Sequence, residues 1–124
     1  MEKFRWCFIG TGSLAKTVAF QLNRSGRHEI VSCYTRNYEK GVEFAKKYGG
    51  TAYKTPEEAI TADGVDGVYI VTPHNAHFRY AKLALELGKP VFCEKSFTVT
   101  AEETDKLIAL AREKDLYLCE AMWT

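Results

Sequence analysis

The chain has 124 residues, with 17 lysines and arginines against 16 aspartates and glutamates, and 46% hydrophobic residues. That suffices for one domain whose fold buries roughly two-thirds of its unfolded surface. A formal net charge of +1 with no long run of either sign excludes the charge signature of nucleic-acid or membrane-surface binding, and no apolar stretch approaches the ~20 residues of a membrane span.

Strand-like and helix-like patterns alternate from end to end. Phe4 to Ile9 reads as a first strand closed by Gly10. A helix follows with Leu14, Val18 and Leu22 on one face, Ala15 and Ala19 beside them, and Gly26 at its end. Ile30 to Tyr34 is a second strand. A helix from about Tyr38 to Tyr48 is stopped by Gly49 and Gly50. Thr51 to Tyr53 is a short third strand. Thr55, Pro56 and Glu58 combine a cap, a proline at the first helical position and a glutamate at the third.

Val68 to Val71 is the fourth strand. Phe78, Ala81, Ala84 and Leu85 make the inner stripe of the next helix, which Gly88 ends. Val91 to Cys93 is the fifth strand. Thr100 and Glu103 form a second capping box, ahead of a stripe of Thr104, Leu107, Ile108 and Ala111. Leu116 to Cys119 is the sixth strand. Six strands with five intervening helices and short loops predict an α/β fold. Its doubly wound parallel sheet has the Rossmann strand order 3-2-1-4-5-6, helices on both faces, and a ligand crevice between strands one and four.

Three segments carry chemistry. Gly10-Thr11-Gly12-Ser13-Leu14-Ala15 joins a strand to a helix. Its glycines permit a tight turn and close approach of a pyrophosphate, whose charge the helix N-terminus attracts; Ala15 allows close helix–strand packing. Methyltransferases and flavoproteins carry similar glycine patterns, but the strand before and helix after favour dinucleotide binding. An acid that would hold the ribose hydroxyls is expected about 20 residues on. Thr35 and Arg36 stand there instead. A guanidinium with a hydroxyl beside it suits a 2′-phosphate, its plane can stack on adenine, and Lys40 adds charge one helical turn on. NADP is therefore favoured over NAD. The same missing acid argues against an S-adenosylmethionine methyltransferase.

Thr72-Pro73-His74-Asn75-Ala76-His77 follows the fourth strand beside the crevice, where the backbone of Thr72 and Pro73, with Asn75 and His77, can line the nicotinamide half of the site. Glu94 and Lys95 follow the fifth strand. A lysine desolvated near a cofactor can shuttle a proton, and Glu94 can accept hydrogen bonds from the nicotinamide ribose. The cysteines, Cys7, Cys33, Cys93 and Cys119, form no Cys-x-x-Cys and have no histidine at metal spacing. Each lies in an apolar strand-like run, as buried reduced thiols of a cytoplasmic protein do, and no metal site is expected.

Together, Gly10-x-Gly12-x-x-Ala15, Thr72-Pro73 with His77, and Glu94-Lys95 resemble the glucose–fructose oxidoreductase / inositol dehydrogenase family over essentially the whole chain. The ending Glu120-Ala121-Met122-Trp123-Thr124 is similar to its dihydrodiol dehydrogenase branch. The resemblance implies an oxidoreductase moving hydride between nicotinamide and a secondary hydroxyl of a sugar, polyol or trans-dihydrodiol. It implies Lys95 as the catalytic group near the nicotinamide and Glu94 on its ribose. The family has proline where this chain has Ser96. Residues 1–124 are expected to form the dinucleotide-binding domain, with the substrate domain outside it, no turnover from this part alone, and self-association through Met122 and Trp123. The rival reading is a non-catalytic NAD(P)-binding or regulatory module.

Overall fold

In the computed structural model, residues 3–10, 12–71, 74–94, 101–116 and 118–121 are described. Strands β1 (Phe4–Ile9), β2 (His28–Tyr34), β3 (Thr51–Tyr53), β4 (Gly67–Ile70), β5 (Val91–Glu94) and β6 (Leu118–Ala121) form one sheet ordered β3-β2-β1-β4-β5-β6, and every pair is parallel. Helices α1 (Ser13–Ser25), α2 (Tyr38–Tyr48), α3 (Pro56–Ile60), α4 (His74–Glu86) and α5 (Ala101–Lys114) make the crossovers. The expected topology is the observed one.

The pleat of β1 divides the core. Trp6 and Phe8 point to one face, where they meet Ala15, Val18 and Ala19 of α1 and Phe44 of α2. Cys7 and Ile9 point to the other, against Ala59 and Ile60 of α3, Ala81, Ala84 and Leu85 of α4, and Leu107 and Ala111 of α5. The chain moves one way across the sheet through α1 and α2 and the other way through α3, α4 and α5. Right-handed crossovers therefore put the two sets on opposite faces. Because both faces of β4 are covered, all four of its residues are buried.

Local chemistry sets the helix ends. Asn37 caps α2, its side chain accepting from the amides of Glu39 at 3.1 Å and Lys40 at 3.4 Å. The Thr55 hydroxyl accepts from the Glu58 amide at 3.2 Å and donates to the Glu58 carboxylate at 3.0 Å, so this box closes through the hydroxyl. Gly50 follows α2 at φ +88°, and a Cβ there would lie 2.7 Å from the carbonyl carbon of Val31, which fixes glycine at that position.

Four strands differ in extent from the sequence reading. β5 runs one residue further, to Glu94, which pairs with Ala121. β2 starts at His28 because its backbone pairs with Phe4. β4 starts at Gly67 and stops at Ile70, although the Val71 amide still donates to the Ile9 carbonyl at 2.8 Å. β6 is shifted to Leu118–Ala121 because its register is set by β5. Ile108, expected on the inner stripe of α5, is 37% exposed. It lies about 100° round the helix from buried Leu107, enough to leave the sheet-facing side.

His28 is structural. The Trp6 indole N–H donates to its Nδ1 at 3.0 Å, which requires the neutral ring. Burial, and then the Arg27 guanidinium beside it, hold the His28 pKa below its ordinary 6.5. The unfolded chain therefore takes up the proton first. This contribution to stability is complete above 6.5 and declines as pH falls from there through the folded-state value. Between about pH 7.5 and about pH 5, the urea midpoint of wild type should fall further than that of His28→Gln, which keeps an acceptor but does not titrate. Parallel declines would remove His28 as the cause.

Candidate functional site

The ladder of paired residues Tyr34, Ile9, Ile70, Cys93 and Glu120 crosses the sheet at one level. Each strand leaves the sheet within about one residue of that line. Gly10 and Gly12 after β1, Thr35 and Arg36 after β2, Val71 after β4 and Glu94 at the end of β5 therefore emerge along a single edge. Four segments spread over the sequence become one rim because parallel strands all point the same way.

Gly10 is buried at φ +102°, and its amide donates to the Tyr34 carbonyl at 2.8 Å, tying the loop to β2. Gly12 is the N-cap of α1, with no capping side chain and no acidic residue in the first turn. The first helical bond runs from the Lys16 amide to the Gly12 carbonyl at 3.0 Å, so the amides of Ser13, Leu14 and Ala15 precede the helical ladder. A Cβ built on Gly12 meets nothing within 4 Å. Room above an uncapped helix N-terminus is what a pyrophosphate requires. These residues fit a dinucleotide.

Beside the loop, α1 and α2 enclose a cavity of about 470 Å³ lined by Gly12, Lys16, Thr35, Lys40, Glu43 and Lys47. Phe44 and Tyr48 also line it, and the Lys47 ammonium sits 5.6 Å from the Tyr48 ring centroid. Thr35 thus faces the cavity. Arg36 does not line it, but lines a separate recess with Asn37, Tyr38, Glu39 and Lys54. On the opposite face, Tyr34 and Tyr80 stand with ring centroids 6.0 Å apart, and the Arg79 guanidinium donates to the Tyr80 hydroxyl at 2.7 Å. Burial first, and the Tyr80 hydroxyl second, push the Tyr34 phenol above its usual range.

The remaining candidates are placed only by backbone. Ser13 and Leu14 open α1, Asn75 and His77 lie in the first turn of α4, and Glu94 ends β5. Thr11, Thr72, Pro73 and Lys95 lie outside the described residues, as do Ser96, Thr100, Met122 and Trp123. Cys7 and Cys33 are free and buried, and burial raises their thiols to about 12 and about 11. Among the described residues no helix is long and apolar enough to cross a membrane, and no group of three metal-ligating side chains forms.

Sequence reading passed over Lys16, Glu43 and Lys47. Their signal was present: Lys40, Glu43, Phe44 and Lys47 share one face of α2 at three- and four-residue spacing. Only the packing of α1 beside that face gave the stripe a partner.

The sheet order and the glycine loop at the switch point define a dinucleotide-binding Rossmann domain. Comparison with known proteins makes the assignment particular: residues 4–121 match the GFO_IDH_MocA oxidoreductase family with its NAD-binding Rossmann fold, and the chain belongs to that family. It is 38% identical to a D-xylose 1-dehydrogenase (NADP(+)) of Hypocrea jecorina, covering 97% of this chain and 34% of the relative. It is 34% identical to the trans-1,2-dihydrobenzene-1,2-diol dehydrogenase of Sus scrofa, covering 97% and 37%. A UDP-N-acetylglucosamine 3-dehydrogenase from Acidithiobacillus ferrooxidans superposes with a TM-score of 0.86 at 31% identity, over 97% of this chain and 37% of that one. A 3-ketoreductase from Actinomadura kijaniata, solved with NADP, gives 0.90 at 28% identity, over 96% and 38%. The chain thus spans about a third of the length of the relatives it matches.

Proposed function

We propose that this chain is the NADP-binding part of a cytoplasmic oxidoreductase acting on a secondary hydroxyl of a sugar, polyol or trans-dihydrodiol. The observation that carries the cofactor assignment is the cavity joining Gly12 to Thr35, lined by three lysines and one acid, Glu43 on α2, with Thr35 after β2 where an NAD site would present a carboxylate to the ribose. The relatives named for D-xylose and for a dihydrodiol support the substrate class. NADP, when bound, supplies the hydride acceptor.

The chain's own residues bind and orient. The Gly10–Gly12 turn and the first amides of α1 hold the pyrophosphate. Thr35 meets the adenosine ribose, and Asn75, His77 and Glu94 leave the sheet at the nicotinamide end. Lys95, one residue beyond β5, takes the hydroxyl proton as the carbinol becomes a carbonyl. We place the wall that orients substrate in the length of the relatives that this chain does not span. Such orientation can account for ~7–11 kcal/mol of barrier lowering, against about 10²–10⁴-fold from a lysine acting as acid–base. These 124 residues by themselves are therefore expected to bind cofactor without turnover.

Side-by-side titration with NADPH and NADH tests the reading. A charge-assisted contact to the 2′-phosphate is worth about 1.5–3 kcal/mol, so NADPH should bind about tenfold tighter or more. Equal affinities would overturn the NADP assignment. A second reading, a module that holds NAD(P) and catalyses nothing, is favoured by Ser96 beside Lys95 where the family has proline. Reduction of NADP with D-xylose or a trans-dihydrodiol by a longer protein that also carries the length this chain does not span, lost in Lys95→Ala, separates the two.

A further inference from the structure

We infer that Lys16, on the phosphate-binding helix itself, is the principal reader of the cofactor's 2′-phosphate, with Lys40 facing it from α2, and that Arg36 serves the adenine instead. This rests on the NADP reading above.

Three observations converge on Lys16. It follows buried Ala15, and it lies seven residues before Asn23, so the two share one side of α1 to within about 20°. The Asn23 side-chain amide donates to the Tyr48 carbonyl at 2.9 Å, which fixes that side of the helix against α2. Lys16 is therefore turned toward α2 one turn above Gly12, and it lines the cavity with Thr35 and Lys40. Among the described residues neither the Lys16 nor the Lys40 ammonium has an ion-pair partner.

The charge of the cavity fits its ligand. Three lysines, Lys16, Lys40 and Lys47, line the cavity with a single acid, Glu43. The surplus of two positive charges matches the ~1.5 to 2 negative charges of a phosphate monoester near neutral pH. A ribose 2′-hydroxyl would leave that surplus unbalanced. Lys47 stands about 10 Å along α2 from Lys40, so its contribution is the weaker, through-space one. Arg36, in its separate recess with Tyr38, keeps its planar guanidinium available to an adenine face.

The test compares NADPH and NADH affinities of wild type, Lys16→Gln, Lys16→Arg and Arg36→Ala. Lys16→Gln should weaken NADPH about tenfold while changing NADH less than about twofold, because the charge-assisted contact is made only to the phosphate. Lys16→Arg should retain the preference. Arg36→Ala should weaken both cofactors in the same proportion. An unchanged NADPH-to-NADH ratio in Lys16→Gln, or a ratio erased by Arg36→Ala alone, overturns the inference. If wild type binds neither cofactor, the NADP reading has failed; if wild type prefers NADPH and Lys16→Gln keeps the full preference, only the Lys16 assignment has failed.

Discussion

Gly12→Val is expected to abolish binding of both NADPH and NADH while the domain stays folded. Gly12 sits at φ −74°, where valine is tolerated, and a Cβ at this position meets no atom within 4 Å. The protein itself has no steric objection to the side chain. The objection comes from the ligand: the isopropyl group fills the space above the uncapped end of α1 where the pyrophosphate must touch the backbone. Losing two charge-assisted contacts of about 1.5–3 kcal/mol each lowers affinity about 10²–10⁴-fold. The check pairs a circular dichroism spectrum and melting curve with an NADPH titration. A folded variant that binds NADPH like wild type would move the cofactor away from this loop.

Phe8→Ala is expected to give the largest loss of stability. Phe8 is fully buried near the C-terminal end of β1, a central strand of the sheet, stacked on Tyr69 at 5.3 Å between centroids and packed on Phe44 at 5.7 Å. Its ring joins β1 to β4 and to α2, so no single neighbour can move in to fill the space. Truncations of this kind cost about 3–5 kcal/mol, a large share of the ~5–15 kcal/mol that keeps a domain folded. Urea denaturation measures it, with Ile108→Ala as control. Ile108 is 37% exposed and should cost under about 1 kcal/mol. Comparable midpoints for the two variants would mean that the Phe8 ring does not hold the α1–α2 face of the sheet together.

Both predictions show where the sequence was sufficient. Apolar runs too short for buried helices, bounded by Gly10, Gly26 and Gly49, specified six strands. The lengths between them left room only for helical crossovers, and chain handedness then fixed strand order. The phosphate loop was legible because all of its parts are adjacent in sequence: a strand end, two glycines and a helix start. The missing acid after β2 was legible for the same reason.

Tertiary structure decided what depends on two segments meeting. Strand ends were misread at His28, Gly67 and Leu118 because pairing is set by the neighbouring strand, which a local pattern does not contain. The pairing of the Trp6 indole with His28 spans 22 positions and has no sequence signature. Lys16 and Lys40 look like ordinary solvated charges until α1 and α2 are laid side by side on one face of the sheet. The separation of Thr35 from Arg36 follows from geometry too: successive residues leaving a strand point in different directions, so the two line different recesses. By itself the sequence determined the fold class, the dinucleotide loop and the want of an acid at the ribose. The packing of two helices determined which cations gather there, because charge selectivity depends on distance through space and the chain order does not encode it.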